Sequence, residues 1–197
     1  MKTENVILMR MAQESLKGKW GLAIGTFLVY ILIVGATGSI PGIGTIVSLL
    51  VSGSFALGAA KFSLSIARNQ EARLEQLFDG FKNFGNVVAT YLLMVLFIVL
   101  WTLLLIVPGI IAALSYSMTF YILADDESID SMEALRRSKK MMDGYKLKYF
   151  YLGLRFLGLA LLCILTLGIG FLWLFPYMYI TSAKFYEDIK VQDMNVA

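Results

Sequence analysis

The chain has 197 residues, 58% of them apolar and only 16% charged, well under the roughly 25% charged share of soluble domains. Seventeen Lys and Arg against 14 Asp and Glu leave a net charge of +3, too small and too scattered for a nucleic-acid binder. There is no His and one Cys, Cys163, so neither a disulfide framework nor a Cys/His metal site can be assembled within one chain, and no cofactor is implied.

No residue from Trp20 to Ala60 or from Asn83 to Ala124 is charged, and from Tyr149 to Ala183 only Arg155 is. Each tract is about 35 to 42 residues long. A spanning helix takes about 20 apolar residues, so each tract fits two passes better than one. The expected fold is an all-α membrane protein of six transmembrane helices, arranged as three repeated helical hairpins with amphipathic cytoplasmic connecting helices.

In chain order, Leu8, Met11, Ala12 and Leu16 mark a short amphipathic helix, followed by Lys17-Gly18-Lys19-Trp20 and spans near 20–40 and 43–60. Pro41-Gly42-Ile43-Gly44 between them reads as a tight turn. Lys17 and Lys19 before an apolar stretch, with Val34-Gly35-Ala36 as a loose cleavage site, resemble a signal peptide, but the stretch runs on too long for one. In the first connector Leu74, Leu77, Phe78 and Phe81 follow an i, i+3, i+4, i+7 pattern. That helix either lies on the membrane surface or packs under the bundle. Asp79-Gly80-Phe81-Lys82 then leads into spans near 86–106 and 109–124, with a turn at Pro108-Gly109-Ile110. In the second connector Asp130, three residues before Glu133, forms a plausible capping box, and Met132, Leu135 and Met142 lie along the helix. Acids come first there (Asp125, Asp126, Glu127, Asp130, Glu133) and bases last, as the helix dipole favours. Asp143-Gly144-Tyr145-Lys146 opens the third tract, with spans near 149–166 and 169–183 around Leu167-Gly168-Ile169-Gly170.

The leading glycines Gly18, Gly80 and Gly144 are each followed, 24 to 29 residues on, by a turn glycine, Gly42, Gly109 or Gly168. This spacing implies a threefold repeat with units near 4–62, 70–126 and 130–190 inside one integral membrane domain covering 1–197. Sixteen of the seventeen Lys and Arg lie outside the apolar tracts and none lies in the turns, which places both termini in the cytoplasm. The returning spans, at about 15 to 18 residues, are short for a ~30 Å hydrocarbon core, so wedges that re-enter from one side stand beside full crossings as readings.

Tyr121-Ile122-Leu123-Ala124-Asp125, the run from Glu133 to Gly144, Leu165-Thr166-Leu167-Gly168-Ile169-Gly170 with Trp173 and Pro176-Tyr177, and Ala183-Lys184-Phe185-Tyr186 carry a family resemblance. With Leu16 to Gly21 and Leu77 to Phe81, they make nearly the whole chain resemble a bacterial group of multi-pass membrane proteins, common in Gram-positive bacteria and catalogued as domain of unknown function nine-seven-five. The resemblance implies a topology and a cell-membrane address, and brings no activity, cofactor or catalytic residue. Arg155 stands where it leads one to expect a small or neutral residue.

Arg155 is the one ionised group inside a span, which is by default a functional hypothesis. It lies seven residues past Lys148, about 10 Å along a helix, so snorkelling to the headgroups competes with a lipid-phosphate contact. Arg136, Arg137, Lys139, Lys140, Lys146 and Lys148 are further candidates for lipid phosphate, against the reading that they only set topology. Gly21 with Gly25 and Ser54 with Gly58 are small-residue pairs that permit close helix approach. Trp20, Trp101, Trp173, Tyr149 and Tyr177 fall near span ends, where interfacial anchoring suffices to explain them. Enzyme signatures are missing: no His for proton transfer, no paired carboxylates in the spans, no phosphate-cradling loop. The functional expectation is a non-catalytic scaffold, accessory or envelope-associated protein; the alternative is a small transporter, channel or lipid translocator. Membrane lipids, anionic ones included, are the expected partners, and a protein partner or homo-oligomer is left open.

Overall fold

Where a chain offers no charges and few prolines over twenty residues, the helix is the structure that satisfies every backbone N–H and C=O within the segment. The computed structural model describes residues 3–38, 41 and 44–194, and among them the chain forms nine α-helices, one 3-10 helix and no strand. In order these are α1 (Asn5–Leu16), α2 (Trp20–Gly38), α3 (Gly44–Ala67), a 3-10 helix (Leu74–Phe81), α4 (Phe84–Leu104), α5 (Ile106–Tyr116), α6 (Thr119–Asp125), α7 (Ser131–Met141), α8 (Lys146–Leu165) and α9 (Phe171–Met194). Among the described residues, five segments are long and apolar enough to cross a membrane: Trp20–Thr37, Val47–Ala67, Phe84–Leu104, Ile106–Asp125 and Lys146–Leu165. Helix α9 carries Lys184, Glu187, Asp188 and Lys190 along its second half.

The helices are not equivalent. The Val47–Ala67 segment of α3 is 67% buried, against 17% for α4 and 11% for α8, so α3 is the axle around which the others pack. Its Phe55 and Phe62 meet Tyr30 and Phe27 of α2 edge to face at about 6 Å. The outer surfaces of α2, α4 and, apart from Arg155, α8 are largely apolar, and exposure peaks at Leu103 to Val107 and at Leu165 and Leu167, at the end away from the charged connectors.

Two of the three leading glycines share a backbone state. Gly18 and Gly144 have φ of +75° and +73°, each closing a short helix, α1 or α7, and launching a long one, α2 or α8. A left-handed residue at that point ends a helix at little cost only if it is glycine. Gly80 has another task. A Cβ there would run into the backbone of Ser54, and one on Gly58 would run into the backbone of Leu77. The Ser54/Gly58 pair therefore holds the 3-10 helix flat against α3, within one chain. Around Gly21 and Gly25, by contrast, a Cβ would meet nothing within 4 Å.

The first connector forms a 3-10 helix in place of the expected α-helix. With three residues per turn, Leu74, Leu77 and Gly80 stack in one row, and the close approach of that row to α3 selects the tighter winding. Leu77 is fully buried, while Phe78 and Phe81 remain about 40% exposed beside Phe55. The first apolar turn, Pro41-Gly42-Ile43-Gly44, lies mostly outside the described residues. The second occurs at Leu105, earlier than Pro108-Gly109-Ile110, because Pro108 fits the first turn of α5, where its missing N–H leaves no hydrogen bond unmade. Gly109 then lets α5 fold back on Thr102. The third turn falls at Leu167 and Gly168, both with positive φ.

Candidate functional site

The polar chemistry concentrates where the connectors meet the helix ends. Arg68, just past the end of α3, donates from Nη2 to Asp125 Oδ1 and to Glu187 Oε1, both at 2.7 Å, and from Nε to Glu187 at 3.2 Å. Asp125 at the end of α6 also accepts from the Tyr186 hydroxyl at 2.8 Å and from Lys190 Nζ at 2.5 Å. Three helices distant in sequence are thus tied through one carboxylate whose side chain is only 14% exposed. Burial works against the charge on Arg68, but its bonds to Glu187 and Asp125 outweigh it and hold its pKa above the ordinary value. Burial first, and then the Asp125 carboxylate, push the Tyr186 phenol far up. Lys184 donates to the Ala67 carbonyl at the C-terminus of α3, and burial lowers its pKa.

A second knot joins α1, α8 and α9. Lys148 Nζ meets Asp188 Oδ2 at 2.9 Å, with side chains 14% and 12% exposed, and Asp188 also accepts from the Thr3 hydroxyl. Asn5 Nδ2 donates to the Lys148 carbonyl at 2.8 Å. A third knot repairs the break between α5 and α6. Ser138 of α7 donates to the Ser115 carbonyl at 2.8 Å and accepts from the Met118 N–H at 3.2 Å, serving backbone groups that the break would orphan. Asp130 caps α7, accepting from the Met132 N–H at 3.0 Å, but the expected box with Glu133 does not close, because the Glu133 carboxylate turns to Arg136 and Arg137.

The basic residues singled out from sequence do not form one anion site. Arg136 and Arg137 pair with Glu133 at 3.2 and 3.1 Å, Arg137 also approaches Asp126 at 3.7 Å, and Lys146 pairs with Asp143 at 3.7 Å. Arg136, Arg137 and Lys140 rim a depression of about 500 Å³ whose other charged residues include Asp125, Glu133 and Lys190, so its field is mixed. Lys148 and Arg155 line a different feature, an open groove of about 780 Å³ between the start of α1 and α8 that also touches Glu4, Asn5 and Tyr151. Lys139 and Lys146 line neither. Arg155 is exposed on the outside of α8 and makes no ion pair among the described residues.

Arg68, Tyr186, Glu187, Asp188 and Lys190 escaped sequence reasoning, because their partners lie 40 to 185 residues away. Asp125, read from sequence only as the first of the acids that lead the second connector, is the hub of a network joining Arg68, Tyr186 and Lys190. Tyr149 and Tyr177, expected as interfacial anchors, face inward: Tyr149 bonds to Ser182 at 3.1 Å, and Tyr177 meets the Phe156 ring at 5.5 Å and 86°. Among the described residues no three His, Cys, Asp or Glu side chains converge as metal ligands.

No curated protein and no solved structure matches the chain. One family model matches over residues 1–115 and 102–193, together nearly the full length. The chain therefore belongs to the family described as protein of unknown function DUF975.

Proposed function

We propose that the chain is a non-catalytic scaffold or accessory protein of the bacterial cell membrane, with six spans, three hairpin units and both termini in the cytoplasm. The observation that carries this reading is the self-pairing of the charged end. Its acids and bases are used to tie connectors to helix ends, through Asp125, Asp188 and Ser138, while the described residues of the turns at the opposite end carry no charge. Helix α9 supplies the sixth span with residues up to Ala183, and its charged remainder stays with the connectors. The shared conformation of Gly18 and Gly144, each between a short helix and a long one, supports the repeat for the first and third units. Gly80 marks where the second unit departs from it. Arg155, exposed beside Lys148 in an outward-open groove, supports snorkelling to anionic headgroups over a substrate contact in the interior.

Two experiments test the proposal. With Cys163 replaced, single cysteines at Pro41, Val107 and Ile169, all exposed, are offered an impermeant thiol reagent on intact cells. Labelling at all three is expected, and protection at any of them replaces that crossing with a wedge. In liposomes the protein is expected to leave solute and lipid flux at the protein-free baseline. A flux that an Arg155→Leu variant abolishes refutes the scaffold reading in favour of transport.

A further inference from the structure

Among the helices lies a cavity of about 450 Å³, within the ~300–1,000 Å³ range of small-molecule sites. Five helices each contribute a tyrosine to its wall: Tyr30, Tyr91, Tyr121, Tyr149 and Tyr179. Helix α3 faces it with Ser52, Ala56 and Ala60, one row at a spacing of four whose small side chains leave the space open. Ser117 and Ser182 add two more hydroxyls, and no Asp, Glu, Lys or Arg lines it.

The hydroxyls have capacity that the chain does not use. Tyr121 donates to the Tyr179 carbonyl at 3.1 Å, Ser52 to the Ser48 carbonyl at 2.6 Å and Ser117 to the Leu114 carbonyl at 2.8 Å. In each case the donor is satisfied and the oxygen lone pairs remain available. Tyr149 and Ser182 share one bond at 3.1 Å in which either hydroxyl can donate. Tyr91 has no hydrogen-bond partner among the described residues. An ion would lose its hydration here with no counter-charge to compensate. A purely apolar occupant would leave this ring of hydroxyls unanswered. An uncharged molecule rich in O–H groups satisfies both conditions. A tyrosine sets a flat apolar face beside a hydroxyl, which matches the C–H faces and O–H rim of a sugar ring.

We propose that this cavity binds an uncharged polyhydroxy compound, a sugar or polyol, either free or carried as the headgroup of a lipid. The proposal is independent of the scaffold reading: binding does not require flux, and its failure leaves the topology and flux results untouched. The full chain in phosphatidylcholine nanodiscs is titrated calorimetrically with glycerol, glucose and maltose in one arm. Short-chain diacylglycerols bearing glucose or maltose are used in the other, with short-chain phosphatidylcholine as the control. Saturable one-site binding is expected in at least one arm. Heat from the free compound assigns the ligand to solution, and heat only from the lipid-borne sugar assigns it to the membrane.

Tyr91→Phe removes a hydroxyl that no described residue bonds, so it tests the site with little effect on stability. It is expected to weaken binding about three- to tenfold. Ala56→Leu fills the cavity and is expected to abolish binding, whereas Arg155→Leu, on the outer face, leaves it unchanged. No saturable heat from any sugar in either arm overturns the proposal. So does equal affinity for the phosphatidylcholine control, or full affinity retained in Tyr91→Phe and Ala56→Leu together.

Discussion

Replacing Asp125 by Leu removes the acceptor shared by Arg68, Tyr186 and Lys190. Removing one partner of a fully buried ion pair costs about 3–5 kcal/mol, because the other charge is left without compensation. Here the cost is smaller. The Arg68 and Lys190 side chains are 28% and 33% exposed, and Arg68 keeps Glu187 at 2.7 Å. We expect a loss of about 2–3 kcal/mol, composed of the hydrogen bonds to a charged acceptor less what water and Glu187 recover. The measurement is reversible unfolding in mixed micelles on a double-mutant cycle with Arg68→Met. With both ends of the pair removed, neither Arg68 nor Asp125 is left facing a lost partner, and the remaining Lys190 and Glu187 lie three residues apart on α9, so the double variant should be at least about 1 kcal/mol less destabilised than the two single losses added together. Raising the salt should change the Asp125→Leu cost little, because the pair is partly shielded from mobile ions. Arg136→Ala, which breaks a pair with side chains 75% and 37% exposed, should cost under about 1 kcal/mol in low salt and less in high salt. Additive single losses, or a cost below about 0.5 kcal/mol for Asp125→Leu, would refute the assignment of Asp125 as the tie between α3, α6 and α9.

Four further outcomes follow from the packing. Gly58→Ala should destabilise by about 1–3 kcal/mol, since its methyl group meets the Leu77 backbone. Gly25→Ala, with open space around it, should be neutral or stabilise by up to about 1 kcal/mol from helix propensity. A harmless Gly58→Ala would show that the 3-10 helix is not seated on α3. Tyr186→Phe should cost about 1.5–3 kcal/mol near neutral pH through its lost bond to Asp125. The folded-state pKa of Tyr186 is raised, so above a pH of about 10 the unfolded chain ionises first and native stability falls as pH rises. Stability curves from pH 8 to 11 should fall less steeply in Tyr186→Phe, and parallel curves would contradict the burial of that phenol beside a carboxylate. Ser138→Ala should speed amide exchange at Met118 and around the α5–α6 break, at a cost of about 1–3 kcal/mol. Unchanged exchange there would mean that the break is satisfied by other groups.

What could be read in advance was local. The absence of charge over each long tract is enough to dictate helices, because the backbone must satisfy its hydrogen bonds within the segment. Asp130 as the cap of α7 needed only its neighbours, and so did the turn at Leu167 and Gly168. Gly18 and Gly144 could be picked out from spacing alone, and both take the left-handed state. Family membership likewise came from residue patterns in chain order.

The rest depended on contacts that no window of sequence contains. Arg68, Asp125, Glu187 and Lys190 meet across up to 119 residues, and nothing near Asp125 distinguishes it from a solvated acid. The seating of α5 back on α4 depends on the fit of Gly109 against Thr102, a contact that exists only once α5 has folded back. The ring of tyrosines was hidden for a different reason. A helix apolar on every side carries no periodic signal to say which face turns inward. Tyr91 or Tyr149 could equally have faced outward, and only the packing of five helices around α3 turned their hydroxyls onto one shared space.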